Sequence, residues 1–88
     1  MSIEVTYQRA LEKMVPNYKR WAKLSDMYDE VCVKYPNNQR RIERAHNRED
    51  RAYNILRAQT RLIGELFVKD EDEVWEDVEN LSLMNGGE

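Results

Sequence analysis

The sequence predicts an all-α protein, a long antiparallel helical hairpin followed by a short acidic helix, and three observations carry that expectation. Glycine and proline are scarce, at three and two in 88 residues, so little punctuates regular structure. Charge is abundant: 35% of the residues are Asp, Glu, Lys or Arg, against about 25% in an average globular domain, a balance that suits long solvated helices. Apolar residues recur at steps of three and four, the period of a helix face. A chain of this length makes one domain, residues 1–88. A domain so small buries a limited share of its surface, so assembly of copies into a helical bundle is also expected.

The first helical segment covers residues 1–35. Tyr7, Leu11, Met14, Tyr18, Trp21, Ser25, Tyr28, Cys32 and Tyr35 succeed one another by four and three, and of these only Ser25 is neither apolar nor aromatic. Pro16 lacks an amide hydrogen and crowds the preceding turn. The stripe stays in phase across it, which favours one helix kinked near Pro16 over two separate ones. The break comes at Tyr35-Pro36-Asn37-Asn38, because proline disfavours helical geometry in the residue before it and Asn38 can cap the next helix.

The second helix is expected over 38–69, with Ile42, Ala45, Ala52, Ile55, Leu56, Leu62, Ile63, Leu66 and Phe67 on one broad face. At about 1.5 Å per residue it runs about 45 Å, long enough to lie antiparallel along the whole first segment. The third element, 70–84, places Val74, Trp75, Val78 and Leu81 on one face. Its acids crowd the first turn, where the helix dipole favours them, and Asn85-Gly86-Gly87 supplies a stop.

The formal net charge of -3 hides an asymmetry. Residues 1–35 carry six bases and five acids, residues 36–61 seven arginines and three acids, and residues 62–88 one lysine and nine acids. A chain so polarised can pair with itself or offer two different faces to partners.

The basic region centres on QRRIERAHNREDR, residues 39–51. Arg40, Arg44, Arg48 and Arg51 fall within about 80° on a helical wheel, and the same azimuth continues through Ile55, Leu62 and Leu66. The line is basic at one end and apolar at the other. An antiparallel turn at 36–38 brings Asp26, Asp29 and Glu30 alongside Arg40, Arg41, Arg44 and Arg48, so a network of exposed ion pairs, each contributing about 0.2–1 kcal/mol, is the first expectation. Arg40, Arg41, Arg44, Arg48 and Arg51 are also the candidate basic face for phosphates. A sequence pI of about 5.2 and the lack of a recognition motif place nucleic acid second. In a third reading the arginines hold the chain's own acidic tail or that of another copy.

The candidate partner-binding acids are Asp72, Glu73, Glu76, Asp77 and Glu79, a surface suited to a basic protein and able to imitate the regular charge of DNA. The candidate self-association stripe is Tyr7, Leu11, Met14, Tyr18, Trp21 and Tyr28. Cys32 is the single cysteine, which excludes an internal disulfide and fits a reducing compartment; its place in the stripe makes it a structural thiol rather than a nucleophile. Glu43 and His46 have the i, i+3 spacing of carboxylate–imidazole metal motifs, but His46 is the only histidine, and no metal or cofactor is expected. Paired acids at Asp26/Asp29 and Glu73/Glu76/Glu79 leave an all-α, Mg-dependent nucleotide pyrophosphohydrolase as a remote alternative.

No apolar run at the N-terminus has the length of a signal peptide, and none approaches the roughly 20 residues of a spanning helix. A cytoplasmic protein with no membrane partner is expected. The function expected is that of a small non-catalytic regulator or inhibitor, self-associating and binding a larger protein through helix faces and the acidic C-terminal surface. The alternative is nucleic-acid binding through residues 39–61.

Overall fold

The computed structural model describes residues 3–85, and its three helices are α1 (Ile3–Lys34), α2 (Gln39–Phe67) and α3 (Glu71–Asn85). Among the described residues there is no strand. The fold is all-α, as the sequence predicts, and each helix boundary falls within two residues of its expected position where both ends are described. The Gly86-Gly87 stop lies outside the described residues.

α1 runs unbroken through Pro16. Pro16 and Glu12 are both exposed, so the Glu12 carbonyl that the missing amide would have engaged faces water, which lowers the cost of the proline. At the turn, the Asn38 side chain accepts a hydrogen bond from the Arg41 amide at 3.1 Å, satisfying one of the amides left open at a helix start. The Arg41 guanidinium lies 4.1 Å from the centre of the Tyr35 ring, a cation–π contact that ties the two sides of the turn together.

α2 ends differently. Val68 takes the left-handed conformation, at φ 54° and ψ 51°, and the Gly64 carbonyl accepts both the Val68 and the Lys69 amides. This six-to-one closure is normally built with glycine in the left-handed position. A β-branched residue there is strained, and the Val68 side chain, 92% exposed, gains nothing from packing. Val68→Gly is therefore expected to raise the unfolding free energy by about 0.5–1 kcal/mol, the relief of strain exceeding the extra chain entropy of glycine, as measured by urea denaturation.

Just before α3, the Asp70 side chain accepts the Asp72 amide at 3.2 Å and its carbonyl accepts the Val74 amide. It packs on one side of the α1–α2 pair. Trp75 reaches Tyr18, Trp21 and Tyr53, at 5.8, 5.1 and 5.8 Å between ring centres. Asp77, two residues later, reaches Tyr7, which precedes Tyr18 by about 16 Å along α1. Only a helix lying across the hairpin, not along it, spans those two contacts. The core beneath the crossing is Leu11, Met14, Val15, Leu56, Ile63, Val74 and Val78.

Every residue of the expected self-association stripe is occupied within this one chain. Leu11 and Met14 are buried, Tyr7 donates to Asp77, Tyr18 and Trp21 pack on Trp75, and Tyr28 stacks obliquely on His46 at 5.5 Å. Cys32, expected inside, is half-buried.

Candidate functional site

The arginine network with Asp26, Asp29 and Glu30 does not form. Glu30 pairs with Lys34 on its own helix, and among the described residues neither Asp26 nor Asp29 makes an ion pair with Arg40, Arg41, Arg44 or Arg48. The reason is azimuth. Arg44 and Arg48 line a groove with Leu24, Met27 and Val31. Asp26 lies two positions from Leu24 and Asp29 two from Val31, about 200° round the helix, so the acids stand at the right height on the wrong side.

The arginines that do find acids are Arg57 and Arg61, which converge on Glu71 at 3.0 and 2.9 Å. They hold the start of α3, so part of the chain's basic charge does bind its own acidic helix, one turn or more beyond the 39–51 stretch. Among the described residues Arg40, Arg44, Arg48 and Arg51 make no ion pair. Four like charges within about three turns repel one another. Only Glu43 among the residues lining their shared concavity carries the opposite charge.

The acidic face is partly engaged in the fold. Glu73 pairs with Lys69 at 2.8 Å, and Asp77 accepts from the Tyr7 hydroxyl at 2.6 Å. Burial and the adjacent Asp77 carboxylate push the Tyr7 hydroxyl well above the usual tyrosine range, which keeps it protonated and donating. Burial, with Glu79 beside it, raises Tyr18 as well. Asp72 and Glu76 remain exposed. Of the five acids, those two face solvent without a partner among the described residues, and the others help to dock α3.

One side of the α1–α2 pair is uncovered. Tyr53 touches Trp75, and Gly64 lies against the Lys69 carbonyl and the Glu71 amide; both therefore mark the side of α2 that carries α3. Ile55 and Leu66 come two positions after them, about 200° round the helix, on the opposite side. Arg44, Arg48, Ile55, Leu62 and Leu66 fall within about 40° of one another. Ile55, Leu62 and Leu66 are 52, 57 and 67% exposed.

Towards the turn this strip meets the groove lined by Leu24, Met27, Val31, Ala45, Arg41, Arg44 and Arg48. The groove has an aliphatic floor contributed by α1 and a guanidinium rim contributed by α2. Leu24, Met27 and Val31 form a second apolar line on α1, centred roughly 100° from the middle of the Tyr7–Tyr35 stripe. That offset is the sequence signal that reveals them, and a reading that tracks only the dominant stripe passes over it.

Among the described residues no three His, Cys, Asp or Glu side chains gather as a metal-ligand set. Asp26 and Asp29 stand beyond Trp21, the last α1 residue whose ring touches α3, and so are separated from Glu73, Glu76 and Glu79. Glu43 and His46 are exposed, with His46 against the Tyr28 ring. No helix among the described residues is long and apolar enough to cross a membrane. No protein family, curated protein or solved structure matches the chain.

Proposed function

We propose that the protein is a small non-catalytic protein-binding module, a regulator or inhibitor that engages a larger protein through the side of the α1–α2 pair opposite α3. The single observation that carries this reading is the uncovered strip itself. Ile55, Leu62 and Leu66 lie exposed in line with Arg44 and Arg48 and beside the Leu24–Met27–Val31 groove. Isolated exposed leucines are ordinary on a surface, whereas a contiguous apolar strip with a charged rim is the composition of an interface. The acidic surface contributes a smaller share, through Asp72 and Glu76.

A nucleic-acid reading keeps one observation in its favour: Arg40, Arg44, Arg48 and Arg51 line a shallow concavity with Glu43 and Asn47 and have no acidic partner among the described residues. The adjoining aliphatic floor has no role in a phosphate grip, which ranks protein binding first.

The test is capture of partners from the native host by the tagged protein. Leu62→Asp with Leu66→Asp is expected to abolish specific capture with the helical content and melting temperature unchanged, while Asp72→Asn with Glu76→Gln retains it. The opposite pattern would transfer the function to the acidic face.

A further inference from the structure

We infer that the uncovered strip recognises an amphipathic helix of a partner protein that is acidic over its N-terminal half and leucine-like over its C-terminal half, lying parallel to α2. This rests on the protein-binding reading above and specifies its ligand. The strip is divided by charge along its length. Arg44 and Arg48 occupy one half, with Arg41 at the groove rim and Arg51 in the adjoining concavity; Ile55, Leu62 and Leu66 occupy the other. From Arg44 to Leu66 it extends about 33 Å, which a helix of about 22 residues covers.

The chemistry of each half selects its counterpart. Guanidinium groups with no acidic partner among the described residues pair with carboxylates, most strongly when the fork is engaged by two oxygens. Exposed aliphatic side chains are covered by aliphatic ones. The direction comes from dipoles: carboxylates are stabilised in the first turns of their own helix, so the ligand's acidic half is its N-terminal half. Placing that half beside Arg44–Arg51, near the start of α2, makes the two helices parallel.

A second copy of this chain is a poorer occupant. Its exposed acids on α3, Asp72 and Glu76, supply two rim ion pairs of about 0.2–1 kcal/mol each, well short of the entropy lost on association. A partner helix whose C-terminal half covers Ile55, Leu62 and Leu66 adds the apolar burial that the ion pairs lack.

The experiment uses the full chain and a synthetic helical peptide of about 22 residues, the length that spans the strip, with Glu on its strip-facing positions in the N-terminal half and Leu in the C-terminal half. Binding is monitored by fluorescence anisotropy at physiological salt. The wild-type protein is expected to bind this peptide and to ignore one with Lys in place of Glu. Arg44→Gln with Arg48→Gln should weaken binding about tenfold, and Leu62→Asp with Leu66→Asp by more than about tenfold; both pairs are exposed, so folding is unaffected and circular dichroism verifies it.

Failure of the peptide to bind, equal binding of the Lys version, or indifference to both double substitutions would overturn the inference. So would tighter binding of a single-stranded oligonucleotide through the same arginines, or concentration-dependent self-association lost in the same variants. If host capture depends on Leu62 and Leu66 while the peptide does not bind, the ligand assignment fails and the protein-binding reading stands.

Discussion

Replacing Trp75 with alanine is expected to lower the unfolding free energy by about 3 kcal/mol, the lower end of the range for truncating a large aromatic side chain in a core, since the ring is half-buried. Trp75 is the side chain through which α3 meets both other helices: its ring lies 5.1 Å from Trp21, 5.8 Å from Tyr18 and 5.8 Å from Tyr53. Tyr18 and Trp21 also contact each other, at 5.6 Å. Edge and tilted aromatic pairs add about 0.5–1.5 kcal/mol beyond their buried area, and truncation removes three such pairs at once.

At about 0.05–0.15 kcal/mol per residue, a chain of 88 residues has about 4–13 kcal/mol of net stability. The substitution therefore removes a large fraction of the total. Urea denaturation monitored by far-ultraviolet circular dichroism should show a midpoint well below that of the wild type, and Trp21 fluorescence should shift to the red as its neighbours leave. Removal of residues 70–88 should do the same, because Val74 and Val78 leave with Trp75 and expose Leu11, Met14 and Leu56. A Trp75→Ala protein as stable as wild type would mean that α3 is a free docking peptide rather than the third layer of the fold.

That dependence separates the legible part of the sequence from the rest. The hairpin arises from local chemistry: heptad-like spacing, a Tyr-Pro-Asn-Asn break and an asparagine that caps α2 through the Arg41 amide. Even the continuity through Pro16 is readable, because the stripe keeps phase across it. The destination of the stripe is not. Periodicity identifies a face that must be covered, and says nothing of whether α3 of the same chain or a neighbouring chain covers it.

The arginines illustrate the second limit. Their distance along the hairpin from Asp26 and Asp29 is set by the turn, and the turn lies where the sequence predicts it. Whether the charges meet depends on the rotation of each helix about its own axis. That rotation is fixed by Tyr7, Leu11, Met14, Tyr18 and Trp21 seating against α2 and α3, a tertiary property. A 200° step, about two residues of helix, carries the acids away from the guanidinium groups, and with them the expected network. The candidate site is thus half legible: the charge-divided line from Arg40 to Leu66 on α2 is visible in the sequence, and Leu24, Met27 and Val31 are visible as a second apolar line, but that they floor a groove with Arg44 and Arg48 is set by the packing of α1 on α2.

Gly64→Ala is the second large effect expected, and its sign runs against helix propensity. Alanine in place of glycine inside a helix ordinarily stabilises by about 1 kcal/mol, so a glycine in the last turn of α2 requires a local cause. The cause is close approach. A Cβ at residue 64 would stand 2.7 Å from the Lys69 carbonyl oxygen and 3.8 Å from the Glu71 amide nitrogen, both backbone atoms that no rotamer change can move aside. Relief demands a shift of the whole α2–α3 connection. The Gly64 carbonyl is also the acceptor for the Val68 and Lys69 amides, and Glu71, next along the displaced segment, holds Arg57 and Arg61. Overpacking of this kind costs about 1–3 kcal/mol, and weakening two backbone hydrogen bonds adds about 1 kcal/mol each at most. Set against the propensity gain, a net loss of about 2 kcal/mol is expected in urea denaturation. Ala58→Gly, on the exposed part of the same helix, serves as the reference for propensity alone and should cost about 1 kcal/mol. A Gly64→Ala protein more stable than wild type by about the same amount would show that α3 does not approach α2 closely at this turn.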